Sequence, residues 1–218
     1  PRGCVTTQSS GSLANIPSQA IDYVFVDPPF GENFQYAELN SFAEAWLKVK
    51  TDTPEDCVMN YVHKKDLGFY MHAMKDAFGE FFRVLKPGRW MTVEFSNTQA
   101  SVWNAIQAGL QEAGFVVANV SALDKQQGSF NAVTNTTSVK QDLVISAYKP
   151  DGGLEDRFLK NGGGSESVWD FVATHLGYIP VVKVRNGKLE FVAERDPRII
   201  FDRMVSWFIR HNVPVPTS

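Results

Sequence analysis

Hydrophobic residues follow two spacings along the 218-residue chain, and together they predict alternating strands and helices. Short apolar runs rich in β-branched and aromatic residues predict buried strands, whereas apolar residues that recur every three or four positions predict amphipathic helices. The predicted strands cover residues 23–26, 89–95, 115–120 and 142–148, and the predicted helices cover 33–50, 69–85 and 99–113. This order predicts an α/β fold in which the strands share one sheet.

Two of these elements carry predictions about the core. The run at 23–26 is apolar at every position, so we expect a strand covered on both faces, as in a parallel sheet. Trp46 lies on the apolar stripe of the helix predicted at 33–50, so we expect its indole to be buried.

A stiff turn follows the strand at 23–26. Each proline fixes its own φ near about −65° and restricts the residue before it, so Asp27-Pro28-Pro29 has few accessible conformations. A carboxylate is therefore held at the carboxyl end of a strand, with the ring of Phe30 directly after the prolines. Ligands bind at this edge in open α/β sheets. The alternative interpretation is an N-cap followed by proline in the first turn of a helix.

Such a turn suits transfer of a group to the exocyclic amino nitrogen of a nucleobase. That nitrogen is a weak nucleophile, and two acceptors that hold both of its hydrogens favour the form with an available lone pair. The Asp27 carboxylate and the Pro28 carbonyl are the natural pair, since a fixed carboxylate stabilises the positive charge that grows on the nitrogen. Phe30 offers a flat face on which the base can stack.

The motif resembles a known family. Val26-Asp27-Pro28-Pro29-Phe30-Gly31 is similar to the signature of amino-directed methyltransferases that use S-adenosylmethionine. A longer string is similar to large bacterial site-specific DNA methylases of the adenine type. Its further parts are Asn33, Tyr36, Glu38-Leu39-Asn40, Trp46-Leu47, the run from Arg83 to Arg89, and the run from Lys140 to Ser146.

The resemblance implies a partial Rossmann-like methyltransferase sheet, closed at one edge by an antiparallel pair of strands. It implies DNA as the substrate, N6 of adenine as the acceptor and S-adenosylmethionine as the cofactor. The catalytic candidates are Asp27, Pro28, Pro29 and Phe30, of which Asp27 and Phe30 are also candidates for cofactor binding. The substrate-binding candidates are Gly31, Asn33, Tyr36, Ser96 and Asn97. For Ser96 and Asn97 we favour the alternative role of capping the helix at 99–113.

The chain divides into three predicted parts. Residues 1–149 are expected to form the C-terminal half of a catalytic domain, and the glycine-rich stretch 150–165 a linker. Residues 166–218 are expected to form a small α+β extension, helix, hairpin, helix, whose turn is Asn186-Gly187. We expect this extension mainly to pack against the rest, although a winged-helix-like DNA reader or an interface is also compatible with the pattern.

One motif of this family is missing from the sequence. Cofactor binding there relies on a glycine-rich turn after the first strand, of the Phe-x-Gly-x-Gly kind, and residues 1–218 contain no such turn. We therefore expect a missing N-terminal part of the same protein to be a partner of this chain. We also expect the chain alone to bind the cofactor weakly or not at all.

The most compact basic run is His63-Lys64-Lys65, a candidate clamp for nucleic-acid phosphates. The alternative is a solvated helix face balanced by Asp56 and Asp66, in a segment whose start at 51–55 is typical of a helix.

Composition limits the function without deciding it. The formal net charge of −3 gives no general attraction to nucleic acid, so DNA would have to be bound by local patches. Cys4 and Cys57 form neither a disulfide nor a metal-ligand pattern, and no histidine has a ligand partner at useful spacing, so no metal is predicted. Neither a signal peptide nor a membrane-spanning run is visible, so we expect a cytoplasmic protein without a membrane partner.

Two alternative functions remain open at this point. An RNA methyltransferase acting on an amino group of guanine or adenine is one, because Asp-Pro-Pro-Tyr/Phe-Gly also occurs there. The other is a non-catalytic nucleic-acid-binding or assembly module that keeps the turn and lacks the cofactor half.

Overall fold

The computed structural model describes residues 3, 8–32, 34–96, 99–123, 142–185 and 187–216. In chain order its elements are β1 (Ile21–Val26), α1 (Tyr36–Leu47), α2 (Leu67–Val84), β2 (Leu85–Phe95), α3 (Ala100–Ala113), β3 (Val116–Leu123), β4 (Asp142–Tyr148), α4 (Gly152–Lys160), α5 (Ser165–Tyr178), β5 (Lys183–Arg185), β6 (Lys188–Glu190) and α6 (Pro197–Arg210). Short 3-10 turns cover Tyr61–His63 and Ala193–Arg195. The segment 51–60, expected to start a helix, forms turns instead.

Four strands form one mixed sheet in the order β1-β2-β4-β3. β1 and β2 are parallel, whereas β4 is antiparallel to both of its neighbours. The α/β class and the antiparallel pair at one edge are therefore confirmed. Because β1 and β2 are parallel, Val26 and Phe95 end their strands at the same edge of the sheet, and the segments that follow both strands lie there.

The helix α2 covers one face of the sheet and passes into β2 without a loop. It begins where the Asp66 carboxylate accepts a hydrogen bond from the Phe69 N–H at 2.9 Å, an ordinary N-cap. At its other end, the Lys149 ammonium donates to the carbonyl oxygens of Phe82 (2.7 Å) and Leu85 (2.9 Å). Lys149 therefore satisfies carbonyls that the helix end leaves unpaired, as expected for a cation at a helix C-terminus.

The main core lies between the sheet and the helices α2 and α3. Its side chains come from every second position of the strands and from one stripe of each helix, the periodicities expected for these elements. Its fully buried members include Tyr70, Phe78, Leu85, Met91, Val93, Phe95, Ile106, Leu110 and Ile145.

A second core joins the C-terminal helices to the opposite face of the sheet. It combines Val116, Ala118 and Tyr148 of the sheet with Leu154, Phe158, Phe171, Met204, Trp207 and Phe208 of α4, α5 and α6. The helices of this C-terminal region pack on the sheet through an apolar interface.

The stretch expected to be a linker at 150–165 contains a helix. α4 spans Gly152–Lys160, and its residues Leu154 and Phe158 are buried in the second core. One glycine of this stretch has a local structural role: Gly163 adopts φ of 74°, and a Cβ there would clash with the Val213 side chain. The prediction of a linker was wrong because it followed from the glycine content alone, whereas Leu154 and Phe158 lie one helical turn apart and are both buried.

Two predictions about burial were also wrong. Tyr23 and Phe25 are 54% and 57% exposed, so one face of β1 is open rather than covered. Trp46, expected in the core, is 88% exposed, and α1 has no buried residue. The apolar stripe of α1 is real, but in the part of the chain that the structure describes it packs against no other element deeply enough to bury a residue.

Candidate active site

Asp27 lies where the sequence predicts it, directly after the last residue of β1. Its side chain is exposed, while Pro28 next to it is buried. Asp27, Pro28 and Pro29 line an open cleft of about 770 Å³, which also receives residues from α2 and from the segments 8–12 and 50–57. The stiff turn therefore presents its carboxylate to a large cavity at the carboxyl end of a strand.

Two donors from outside the motif bond to carbonyl oxygens of this turn. The Tyr70 hydroxyl of α2 donates to the Pro29 carbonyl oxygen at 2.8 Å, and the Met59 N–H donates to the Gly31 carbonyl oxygen at 3.1 Å. Burial raises the pKa of Tyr70, which keeps the hydroxyl protonated as a donor. Gly31 is buried at φ of 70°, a conformation that favours glycine, and so closes the turn.

The ring of Phe30 is anchored in an aromatic cluster. It meets Phe95 edge to face at 5.5 Å between ring centroids, and Phe95 in turn meets Trp103 of α3 at 5.0 Å. Phe30 is half-buried, so part of its surface is committed to the core and part is accessible. Packing of this kind fixes the ring plane beside the turn.

Tyr36, a candidate from the sequence, lies against the same turn. Burial raises the pKa of its phenol, a hydrogen bond from the Phe30 backbone acts in the opposite direction, and the nearby negative charge of Asp27 raises the pKa further. The first residue of α1 thus brings a hydroxyl group close to the Asp27 carboxylate.

The other substrate-binding candidates are less informative. Ser96 is half-buried just beyond the end of β2, at the expected edge of the sheet. The capping role favoured for it was wrong, because the residue that precedes α3 as its N-cap is Gln99. Asn33 and Asn97 lie outside the described residues.

Sequence reasoning missed the polar side chains that tie the loops around the turn together. Gln99 Nε2 donates to Glu32 Oε1 at 2.8 Å, which connects the end of the motif to the start of α3. Asn60 Nδ2 donates to Gln35 Oε1 at 2.8 Å, and Gln35 Nε2 donates to the Met59 carbonyl oxygen at 3.3 Å. No periodicity or local motif could have signalled these contacts, since their partners are distant in sequence.

Carboxylates dominate the charge of the cleft. Its lining includes Asp27, Asp52, Glu55, Asp56 and Asp76, with Lys50 as the basic residue. The ammonium of Lys65 pairs with the Asp56 carboxylate from the side, which offsets one of these charges. The cleft therefore favours positively charged ligands over anions.

Comparisons with known proteins give the fold some context. No family model matches the chain, and no curated protein matches it. The solved structures that resemble it include a provisional DNA modification methylase of Thermus thermophilus (13% identity, TM-score 0.39, 66% of this chain and 53% of that one), the 4+2 cyclase SpnF (14%, 0.36, 69% and 57%) and M1.HpyAVI in complex with SAM (14%, 0.32, 62% and 46%). The chain thus spans about half the length of these proteins.

The basic run predicted as a phosphate clamp is split by the fold. His63 and Lys64 are exposed around the 3-10 turn at Tyr61–His63. Lys65 is only 4% exposed, and its ammonium bonds the Asp56 carboxylate and the Thr53 carbonyl oxygen. Lys65 is thus a structural residue and is unavailable to a phosphate, since moving it would leave the half-buried Asp56 carboxylate without its cation.

The described part of the chain contains neither a grouped set of metal ligands nor a membrane-spanning helix. Within these ranges, no three histidine, cysteine, aspartate or glutamate side chains are grouped as metal ligands would be. Burial raises the pKa of the Cys57 thiol to about 12, so that thiol is a poor nucleophile and a poor ligand. None of the helices described is long and apolar enough to cross a membrane.

Proposed function

We propose that this chain takes part in transferring a methyl group from S-adenosylmethionine to the N6 amino group of adenine in DNA. The observation that carries the proposal is the position of Asp27, which is exposed at the carboxyl end of β1 and lines a cleft of about 770 Å³. The resemblance of residues 26–31 to the amino-methyltransferase signature supplies the reaction class. The stiff turn and its bonds from Tyr70 and Met59 support a fixed carboxylate.

The cleft suits the proposed cofactor in size and charge. Small-molecule sites commonly enclose about 300–1,000 Å³, a range that includes this cleft. Its surplus of carboxylates favours a cation, and S-adenosylmethionine carries a sulfonium and an ammonium group. When bound, the cofactor supplies a methyl group activated by the positive charge on sulfur. Asp27 and Phe30 are the residues proposed to border it.

In the proposed reaction the turn acts on the acceptor nitrogen. The Asp27 carboxylate and the Pro28 carbonyl oxygen each accept one N–H of the adenine amino group, which makes its lone pair available. The nitrogen forms a bond to the methyl carbon as the carbon–sulfur bond breaks, and it then loses a proton to water. Asp27 stabilises the positive charge on nitrogen before the proton leaves, so its contribution is greatest in the transition state.

A labelled methyl donor tests the proposal directly. Transfer to duplex DNA should occur when the chain is joined to its proposed second α/β half, and it should fall by at least about 100-fold in Asp27→Asn, because removing one electrostatic stabiliser commonly costs about 10²–10³ in rate. The matched control is Asp22→Asn on the same strand, where an exposed carboxylate pairs with Lys86. That variant should retain transfer.

The substrate arms of the same assay separate the alternatives. Duplex DNA, DNA with purine in place of adenine, and transfer RNA are each offered with the labelled donor. Transfer to ordinary DNA and not to purine DNA supports the N6 acceptor. Transfer to RNA alone would replace DNA by RNA as substrate, and Asp27→Asn with near-normal turnover would remove Asp27 from the mechanism.

The proposal includes a second α/β half as the partner that completes the cofactor site. Among the described residues, β1 pairs with β2 on one side and with no strand on the other, so its second edge is open. Tyr23 and Phe25, on one face of β1, are also exposed. Parallel strands are normally covered on both faces. A further strand, followed by the glycine-rich turn that this sequence lacks, fits the open edge. Isothermal titration should then show weak or no binding of S-adenosylmethionine to the chain alone, and micromolar affinity would contradict this part of the proposal.

A further inference from the structure

A second, much smaller cleft lies at the other end of the sheet from Asp27. It is formed where α6 passes the end of α3 and the start of β3, and β3 and β1 are the two outermost strands of the sheet. Its cavity of about 20 Å³ has room for one water-sized group. The residues that matter for its chemistry are Arg203, Trp207 and Arg210 of α6 and Gln111 of α3.

Two residues that line this cleft, Arg203 and Trp207, each carry a buried hydrogen-bond donor without an acceptor in the described part of the chain. Arg203 Nε and Trp207 Nε1 are both buried, and neither has a hydrogen-bond partner among the residues that the structure describes. Trp207 as a whole is only 2% exposed. Both groups are donors only, so neither can be satisfied by a neighbouring N–H or by a cation. Buried donors of this kind are rare in folded proteins and call for an acceptor.

The charged side chains that line the cleft are two arginines, Arg203 and Arg210. Arg203 has the nearby carboxylate of Asp202 as its electrostatic partner, and no ion pair joins the two. Arg210 lies over the Trp207 ring at 4.7 Å and approaches Glu155 at 3.7 Å, a long contact for an ion pair. Burial lowers the pKa of both arginines, which reflects guanidinium groups held away from water without full compensation. No carboxylate is among the described residues that line the cleft.

We propose that this cleft binds a phosphate group, with one oxygen inserted between Arg203 Nε and Trp207 Nε1. The remaining oxygens stay at the mouth, within reach of the Arg210 guanidinium. A phosphate fits better than a carboxylate because it can carry two negative charges opposite two guanidinium groups, and arginine recognises phosphate oxygens in a planar, multidentate way. The inference does not depend on the proposed methyl transfer, since it concerns the opposite end of the sheet.

The indole N–H of Trp207 provides a direct readout. The chain has five tryptophans, so a proton–nitrogen correlation spectrum shows a handful of indole signals, and the Trp207→Phe variant assigns the relevant one. Titration with inorganic phosphate should shift this signal in a saturable way, as expected for a new hydrogen bond. In Arg203→Gln the apparent affinity should fall by at least about tenfold, the loss of one charge-assisted hydrogen bond.

Control variants separate the site from general charge effects. Arg198→Gln removes a guanidinium that is 90% exposed on the first turn of the same helix, and it should leave the titration unchanged. Arg210→Gln, at the mouth of the cleft, should weaken binding and serves as the second variant if Arg203→Gln does not fold. Circular dichroism establishes folding of each variant.

The ligand arms identify the source of the phosphate. Inorganic phosphate, adenosine monophosphate and a short DNA duplex are titrated at constant ionic strength, with acetate for comparison. A saturable shift whose apparent affinity falls by at least about tenfold in Arg203→Gln supports the proposal. The phosphate compound that gives this shift shows whether the group is free, a monoester or part of a nucleic-acid backbone. The proposal is overturned if no phosphate compound shifts the signal, if acetate does so equally well, or if Arg203→Gln responds like the natural chain.

Discussion

The hydroxyl of Tyr70 reaches from α2 to the Pro29 carbonyl oxygen at 2.8 Å, which makes a buried residue of the core a support of the candidate site. The two prolines restrict the turn locally, and this bond fixes the turn relative to the helix packed beneath it. Tyr70 is completely buried, so its hydroxyl has little access to water as a replacement partner. At the scale of single residues, the position of Asp27 therefore depends on a side chain far away in sequence.

The variant Tyr70→Phe isolates this contribution. It should lower the free energy of unfolding by about 1–2 kcal/mol, because a partly buried carbonyl loses its donor while the ring is retained. If the proposed function is correct, methyl transfer should also slow, since the turn is held less firmly. Urea unfolding measures the first effect. Tyr23→Phe is the control, because its hydroxyl bonds Thr92 Oγ1 on an exposed face and its loss should cost little.

The sequence predicts some of these residues and not others, for physical reasons. Asp27, Pro28 and Pro29 could be found because proline restricts the backbone locally, whatever surrounds it. Lys65 could not be assigned, because its burial depends on where Thr53 and Asp56 are folded against it. Charge runs describe composition, whereas pairing is a property of the tertiary structure.

At the scale of single elements, the limits of helices and strands could be predicted from the sequence, whereas their burial could not. The limits of α2, α3 and β4 are close to their predicted ones because helical and strand periodicities are strong there. The helix α1 is also confirmed, but helical periodicity does not show whether another element packs on the apolar stripe. Phe42 and Trp46 are 83% and 88% exposed.

Trp46→Gln tests the exposed position of α1. Because the side chain is hardly covered, the free energy of unfolding should change by no more than about 0.5 kcal/mol. Burial in the core would instead predict a loss of several kcal/mol, about 3–5 for truncation of a large aromatic side chain. Chemical denaturation of both Trp46→Gln and the core variant Phe78→Ala separates the two cases, since Phe78 is fully buried.

The junction of α2 and β2 depends on Lys149. Its ammonium, whose pKa is lowered by burial, bonds two carbonyl oxygens at the end of α2 and lies over the Phe82 ring at 4.5 Å. Lys149→Met keeps the apolar stem and removes the donors, so we expect a loss of about 1–3 kcal/mol in the free energy of unfolding. Lys75→Met, at an exposed ion pair with Glu112, should cost under about 1 kcal/mol. Equal losses in the two variants would argue against a capping role for Lys149.

At the scale of the whole molecule, the sheet is the shared wall of two cores. α2 and α3 cover one face, while α4, α5 and α6 cover part of the other through Val116, Ala118 and Tyr148. The sequence predicts the helices of the C-terminal region, but the apolar interface with the sheet emerges only in three dimensions. Its buried polar groups, among them His175, connect the stability of this region to pH.

His175 should make the protein less stable in mildly acidic solution. It is fully buried, its Nδ1 lies 2.8 Å from the Tyr148 hydroxyl, and burial, with a smaller effect of the Arg203 charge, lowers its pKa from 6.5 to about 4. Below pH 6.5 the unfolded chain takes up a proton that the folded chain refuses, so stability falls as the pH falls toward 4. Between pH 7 and pH 5 the loss should approach about 2 kcal/mol, at 1.36 kcal/mol per pKa unit.

Urea unfolding at several pH values between 7 and 5 measures this slope, in a range where carboxylates contribute little. The variant His175→Phe keeps an aromatic ring against Phe171 but loses the hydrogen bond with the Tyr148 hydroxyl, so it should be less stable at pH 7. Because phenylalanine cannot titrate, the free energy of unfolding of this variant should be nearly independent of pH in this interval. His63→Gln, which removes an exposed histidine, should keep the slope of the natural chain. A slope that persists in His175→Phe would assign the acid sensitivity to other groups, and the packing of α5 on the sheet would then not be its cause.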